Sequence, residues 1–192
     1  MKKNSLVLKI WHWSNSLLIL TLLLTVVLRK TFLSARENAP LLQAELGKLG
    51  ITLTIDQART AARALMERMW DWHPVIGIIL CSVFLLRVLE FFLKKEWKKA
   101  SRASWASLNS HGKLVRVVYS VFFTVLIIMG LTGLAMEYGG EFLGFTKPLL
   151  HSIQDVHEVF MWGVIGFIVL HILGLIRAEN TDDPGVVSRM IH

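Results

Sequence analysis

Four stretches of this chain, at 10–28, 74–93, 114–136 and 159–176, are long and apolar enough to cross a lipid bilayer. Each approaches or exceeds the ~18 residues that mark a spanning segment. Hydrocarbon offers the backbone no hydrogen-bonding partner, so such runs must satisfy their own N–H and C=O groups as helices. The expected fold class is therefore all-α: an integral membrane four-helix bundle. With their flanks the spans are placed at about 10–33, 74–93, 114–136 and 157–176, with an outer loop at 34–72. The length of 192 residues allows one domain, taken as 1–192. Charged residues make up 18%, too few for an ordinary soluble domain.

A net charge of +7 could suggest nucleic acid, but the cations gather beside the apolar runs, as membrane topology requires. With the N-terminus in the cytoplasm, the inner segments hold twelve Lys and Arg and the outer segments eight, Arg87 lying within a span. The densest block, Lys94 to Arg116, then falls inside. Both termini are thus expected to be cytoplasmic, in a membrane crossed several times. Trp11, Trp13, Trp70, Trp72, Trp97, Trp105 and Trp162 all fall near span ends or in adjoining loops, where indole prefers the headgroup region. The first apolar run exceeds the usual signal-peptide core, and it is read as retained. Cys81, the single cysteine, excludes an intrachain disulfide and is read as a small apolar residue.

The outer loop is long for a connector and is expected to be partly helical. Pro40 suits a helix start. Thr54 with Gln57 reads as a capping box opening a helix from about 55 to 70, with Leu65, Met66 and Met69 on one side.

The seven histidines carry the chemistry: His12, His73, His111, His151, His157, His171 and His192. His157 and His171, 14 residues apart, lie within ~40° of each other on a helix and ~21 Å apart along it. One face of the fourth span thus carries an imidazole near each surface. His12 opens the first span at the inner depth of His171, and His73 opens the second at the outer depth of His157. Two pairs result, His12 with His171 and His73 with His157, each at one depth. Imidazole inside a membrane is costly and usually has a partner. Haem supplies one, because its iron accepts two neutral imidazoles and its macrocycle suits an apolar bundle. Zinc usually collects three or four protein ligands. Interfacial histidines bonded to water or headgroups are the plain alternative. His151 is expected in a loop, His111 at the inner end of the third span, and His192 is terminal. Arg87, 14 residues after His73, would meet a haem propionate at the inner depth, snorkel to the inner surface or pair with Glu90. Gly77, Gly130, Gly133, Gly163 and Gly166 permit close packing.

These residues resemble the bacterial cytochrome b561 family, which includes the b-type cytochrome subunit of nickel–iron hydrogenases and a small superoxide:quinone oxidoreductase. The resemblance rests on Trp11-His12-Trp13, His73-x3-Gly77 with Arg87, Gly130-Leu-Thr-Gly133, His157-x13-His171 and the tail Pro184-Gly185-Val-Val-Ser188-Arg-Met190. It covers all four spans. It implies two haems b, each with two histidine ligands, and a quinone as diffusible redox partner. The outer loop is longer than in superoxide-oxidising members. Pro74 biases His73 away from helical geometry, which leaves the start of the second span open.

An iron with two axial histidines has no open position and transfers electrons rather than activating oxygen. The expected function is membrane electron transfer between an outer redox partner, a protein or complex subunit, and quinone. Such a chain is an electron-transfer subunit rather than a self-sufficient enzyme. The alternatives are a self-sufficient superoxide:quinone oxidoreductase and a haem-free anchor or small transporter. The outer segments sum to −1, eight cations less nine acids, which gives no sign of a funnel for an anionic substrate.

Overall fold

The computed structural model describes residues 5–94, 108–182 and 184–191. Lys2, Lys3, His192 and most of the expected cationic block, with Trp97 and Trp105, lie outside the described residues. The described part is helical, as the apolar runs require. In order the helices are α1 (Leu6–Lys30), α2 (Ala35–Lys48), α3 (Ile55–Trp70), α4 (Trp72–Leu93), α5 (Ser110–Phe142), α6 (Lys147–Arg177) and α7 (Val186–Ile191), with a π-helical turn at Ala178–Asp182. Among the described residues four helical stretches are long and apolar enough to cross a membrane: Leu6–Lys30, Ile55–Glu90, Gly112–Phe142 and Lys147–Thr181. The chain divides into two compact units, Ser14–Leu80 and Met1–Trp13 with Cys81–His192, the boundaries falling within α1 and α4.

In the unit Ser14–Leu80, α2 and α3 form a helical hairpin. Ala39, Ala58 and Ala62 are buried in it, and side chains this small let two helix backbones approach closely. Helix α2 ends in a left-handed glycine, Gly50 at φ 79°, with the Ile51 N–H reaching back to the Leu46 carbonyl. The capping box at Thr54 and Gln57 forms as expected, each side chain bonding the other residue's backbone N–H. Pro40, expected at a helix start, lies inside α2 instead. Ser34, in extended geometry, occupies the cap position. Six residues into the helix, Pro40 forfeits only the bond to the Arg36 carbonyl.

His73 is the second residue of α4, so Pro74 does not hold it out of the helix. A proline in the first turn lacks only an N–H that has no intrahelical acceptor there. Helix α4 therefore begins just before His73, with only Asp71 between it and the end of α3.

In the other unit α5 and α6 pack against each other as a long hairpin. Both outrun the expected spans: α5 has 33 residues, about 50 Å, against a hydrocarbon core of roughly 30 Å. His151, expected in a loop, lies exposed within α6, which starts at Lys147 because Thr146 is extended and Pro148 suits a first turn. The connecting turn depends on two glycines. Gly144 has φ 65°, and Gly139 lies under Phe145, whose ring would come within 2.5 Å of an added Cβ. Met161 and Val164, buried on α6, lie between His157 and His171 in the sequence and on the same face. Large apolar side chains elsewhere are widely exposed, as lipid-facing helices require.

Candidate functional site

Within Ser14–Leu80 the imidazole of His73 is held from two directions. Its Nδ1 lies 2.7 Å from Thr25 Oγ1, and its ring stacks on Trp70 with centroids 4.5 Å apart and planes 6° from parallel. Thr25 is buried midway down the last turns of α1, and its hydroxyl donates to the Leu22 carbonyl at 2.6 Å. A hydroxyl has one proton. Having given it to Leu22, Thr25 can only accept from His73, so Nδ1 carries the ring proton and Nε2 the lone pair.

His157, in the other unit, repeats the device. Its Nδ1 lies 2.8 Å from Thr132 Oγ1, and the Thr132 hydroxyl donates to its own helix at the Ile128 carbonyl, 2.7 Å away. His157 is thus also an Nδ1–H tautomer with its lone pair on Nε2. Gly133 borders the ring, where an added Cβ would make an ordinary contact at 3.5 Å from His157 Cε1. At the other end of α6, His171 faces His12, with ring centroids 6.2 Å apart and planes 46° apart. The Tyr119 hydroxyl is 3.3 Å from His171 Nδ1, and Phe167 stacks on both His171 and Phe122. The Trp13 ring lies nearly perpendicular to that of His12, with centroids 5.4 Å apart, and donates its indole N–H to the Met190 carbonyl, which ties the α7 tail beside the pair. Glu179 holds that tail through the N–H groups of Gly185 and Val187. Arg87 pairs with Glu90 at 2.6 Å, and its guanidinium lies 5.9 Å from the Trp11 ring.

A metal bonded to one nitrogen of each of two imidazoles sets the ring centres about 6 Å apart, from two bonds of about 2 Å and the ring radii. The 6.2 Å between His12 and His171 matches that separation. Among the described residues no group of three or more His, Cys, Asp and Glu side chains is placed to hold a metal ion. The chain matches the sequence model of a family described as prokaryotic cytochrome b561 over residues 3–192. The chain belongs to the prokaryotic cytochrome b561 family. It is accordingly a multi-pass membrane b-type cytochrome that carries electrons. Two similar proteins are each called "Probable Ni/Fe-hydrogenase B-type cytochrome subunit". The one from Cupriavidus necator is 25% identical, over 95% of this chain and 82% of its own length. The one from Rhizobium leguminosarum bv. viciae is 22% identical, over 95% and 83%. No solved structure matches the chain.

For this b561 cytochrome, the sequence reading named His12, His171, His73 and His157 and did not name the hydroxyls that lie beside three of them. Thr25, Thr132 and Tyr119 sit on neighbouring helices, and contact across helices leaves no periodic trace. One signal was present: Thr132 lies inside Gly130-Leu-Thr-Gly133, which was read for its glycines alone. Arg87 has the Glu90 partner that was one of its readings.

Proposed function

We propose that the chain holds two haems b, one between His12 and His171 and one ligated by His73 and His157, and passes electrons between an outer redox partner and membrane quinone. The 6.2 Å approach of His12 and His171 carries this reading. The second pairing rests on the equal depth of His73 and His157 in the sequence, and each ring is held as the tautomer that presents Nε2 to a metal. When bound, haem would supply a one-electron couple. The protein's part is to hold the imidazoles, fix their tautomers and exclude water. Arg87, beside Trp11 and already paired with Glu90, is assigned to the inner haem's propionate through its remaining donors.

The likeness to the two hydrogenase subunits makes a nickel–iron hydrogenase the proposed partner. The partner lies on the side of the α2–α3 hairpin, which is outer if the charge bias sets both termini in the cytoplasm. A pyridine haemochrome assay on purified protein tests the haem count: two per chain are expected, both low-spin by electron paramagnetic resonance. One haem or none per chain refutes the reading.

A further inference from the structure

Trp70 connects His73 to a charged cavity. Its ring stacks on His73, and the Arg29 guanidinium lies 3.9 Å from the same ring's centroid. Arg29, Arg63, Glu67 and Trp70 line a cavity of about 170 Å³. Arg29 feels the like charge of Arg63 and the opposite charge of Glu67. Two guanidinium groups and one carboxylate leave the lining with a net charge of +1. Among the described residues no ion pair holds Arg29 or Arg63. Arg29 is in the last turn of α1, directly after the apolar run 10–28, at the level where hydrocarbon gives way to headgroups. Like charges set on one cavity repel until an anion enters. A guanidinium fork suits a carboxylate or phosphate above other anions. The volume is several times the ~30 Å³ of one water, enough for such a group and too small for a folded segment.

We propose that this cavity binds an oxyanion carried by an amphiphile at the membrane surface: a propionate of the haem held by His73, or the phosphate of an anionic lipid. The first source rests on the proposed haem ligation; the second does not. Arg63, exposed on α3, is the group to change, because Arg29 also packs on Trp70.

The test compares wild type, R63Q and the charge-preserving R63K in nanodiscs of phosphatidylcholine with added phosphatidylglycerol. Native mass spectrometry counts retained phosphatidylglycerol, and spectroelectrochemistry follows the haem that disappears in His73→Ala. At least tenfold weaker phosphatidylglycerol retention in R63Q, restored in R63K, supports the cavity with lipid as the source. Unchanged lipid with a lowered midpoint potential in R63Q, because a cation that favours the reduced haem is gone, supports it with propionate as the source. If R63Q matches wild type in both, the cavity is no anion site. If the haemochrome assay finds no haem dependent on His73, the ligation reading fails on its own. The lipid count alone then decides the cavity.

Discussion

Thr132→Val removes one hydroxyl and keeps nearly the same volume, so it isolates the bond to His157. In the native protein the His157 Nδ1–H donates to Thr132 Oγ1 over 2.8 Å. With valine there, that N–H loses its hydroxyl acceptor in a half-buried setting. A buried polar group left unsatisfied costs about 1–3 kcal/mol, more than the ~1 kcal/mol a typical hydrogen bond contributes. Loss of an outer partner of a metal-bound histidine weakens binding by roughly 10–100-fold, in the same range. Haem dissociation from the His157 site should therefore accelerate by about that factor, measured by transfer to apomyoglobin. The midpoint potential of that haem should also rise, because an imidazole without its acceptor is a weaker base and favours the ferric state less. About 1 kcal/mol of lost preference corresponds to roughly 40 mV for one electron. Thr124→Val is the control: Thr124 lies on the same helix and donates to the Ser120 carbonyl, but is exposed. If Thr132→Val and Thr124→Val leave haem retention and potential alike, the threonine does not hold the ligand.

Three further outcomes follow from the same geometry. His12→Ala and His171→Ala should remove the same haem and spare the other, while His73→Ala and His157→Ala remove that other; loss of the His12 haem on changing His73 would break the pairing. Shortening the segment between Arg36 and Thr54 removes most of α2 and should leave haem content intact while slowing electron entry from a hydrogenase. Falling haem with unchanged transfer per remaining haem would make the hairpin a lid instead. Gly139→Val should destabilise the α5–α6 turn by about 1–3 kcal/mol through overpacking, since even a Cβ would stand 2.5 Å from the Phe145 ring. A melting temperature equal to wild type would show that the ring simply moves aside.

Much of the architecture was legible because membrane insertion writes itself in composition. The four apolar runs located the four long helices, and helix geometry placed His157 and His171 on one face of α6. The helix Ile55–Trp70 was legible to its ends because Thr54 and Gln57 form a local motif. Less legible were the extents of α5 and α6. Hydropathy marks where lipid begins, whereas a helix ends where its caps and turns lie, here at Thr146 and Gly144. The same difference put His151 in a helix rather than a loop. The hydroxyl partners were illegible for another reason. Whether Thr132 meets His157 depends on how α5 is rotated against α6, which no single span encodes.

Threonine at both positions has a chemical logic that single substitutions can separate. In hydrocarbon a lone hydroxyl is costly, and Thr25 and Thr132 offset this by donating to carbonyls of their own helices. That bond uses their only proton, so each can offer an imidazole nothing but an acceptor. An asparagine would offer both a donor and an acceptor, and its NH₂ could bond Nδ1 and shift the ring proton to Nε2, the nitrogen that ligation needs bare. Thr132→Ser should therefore keep the native tautomer and most of the haem. Thr132→Asn should lose more haem than Thr132→Val despite keeping a polar group. Occupancy measured on the three variants, with helix content checked by circular dichroism, orders them as Ser, then Val, then Asn. If asparagine retains haem as well as serine does, polarity alone suffices at this position. Tautomer selection by a proton-committed hydroxyl would then be the wrong account of why a threonine faces His157.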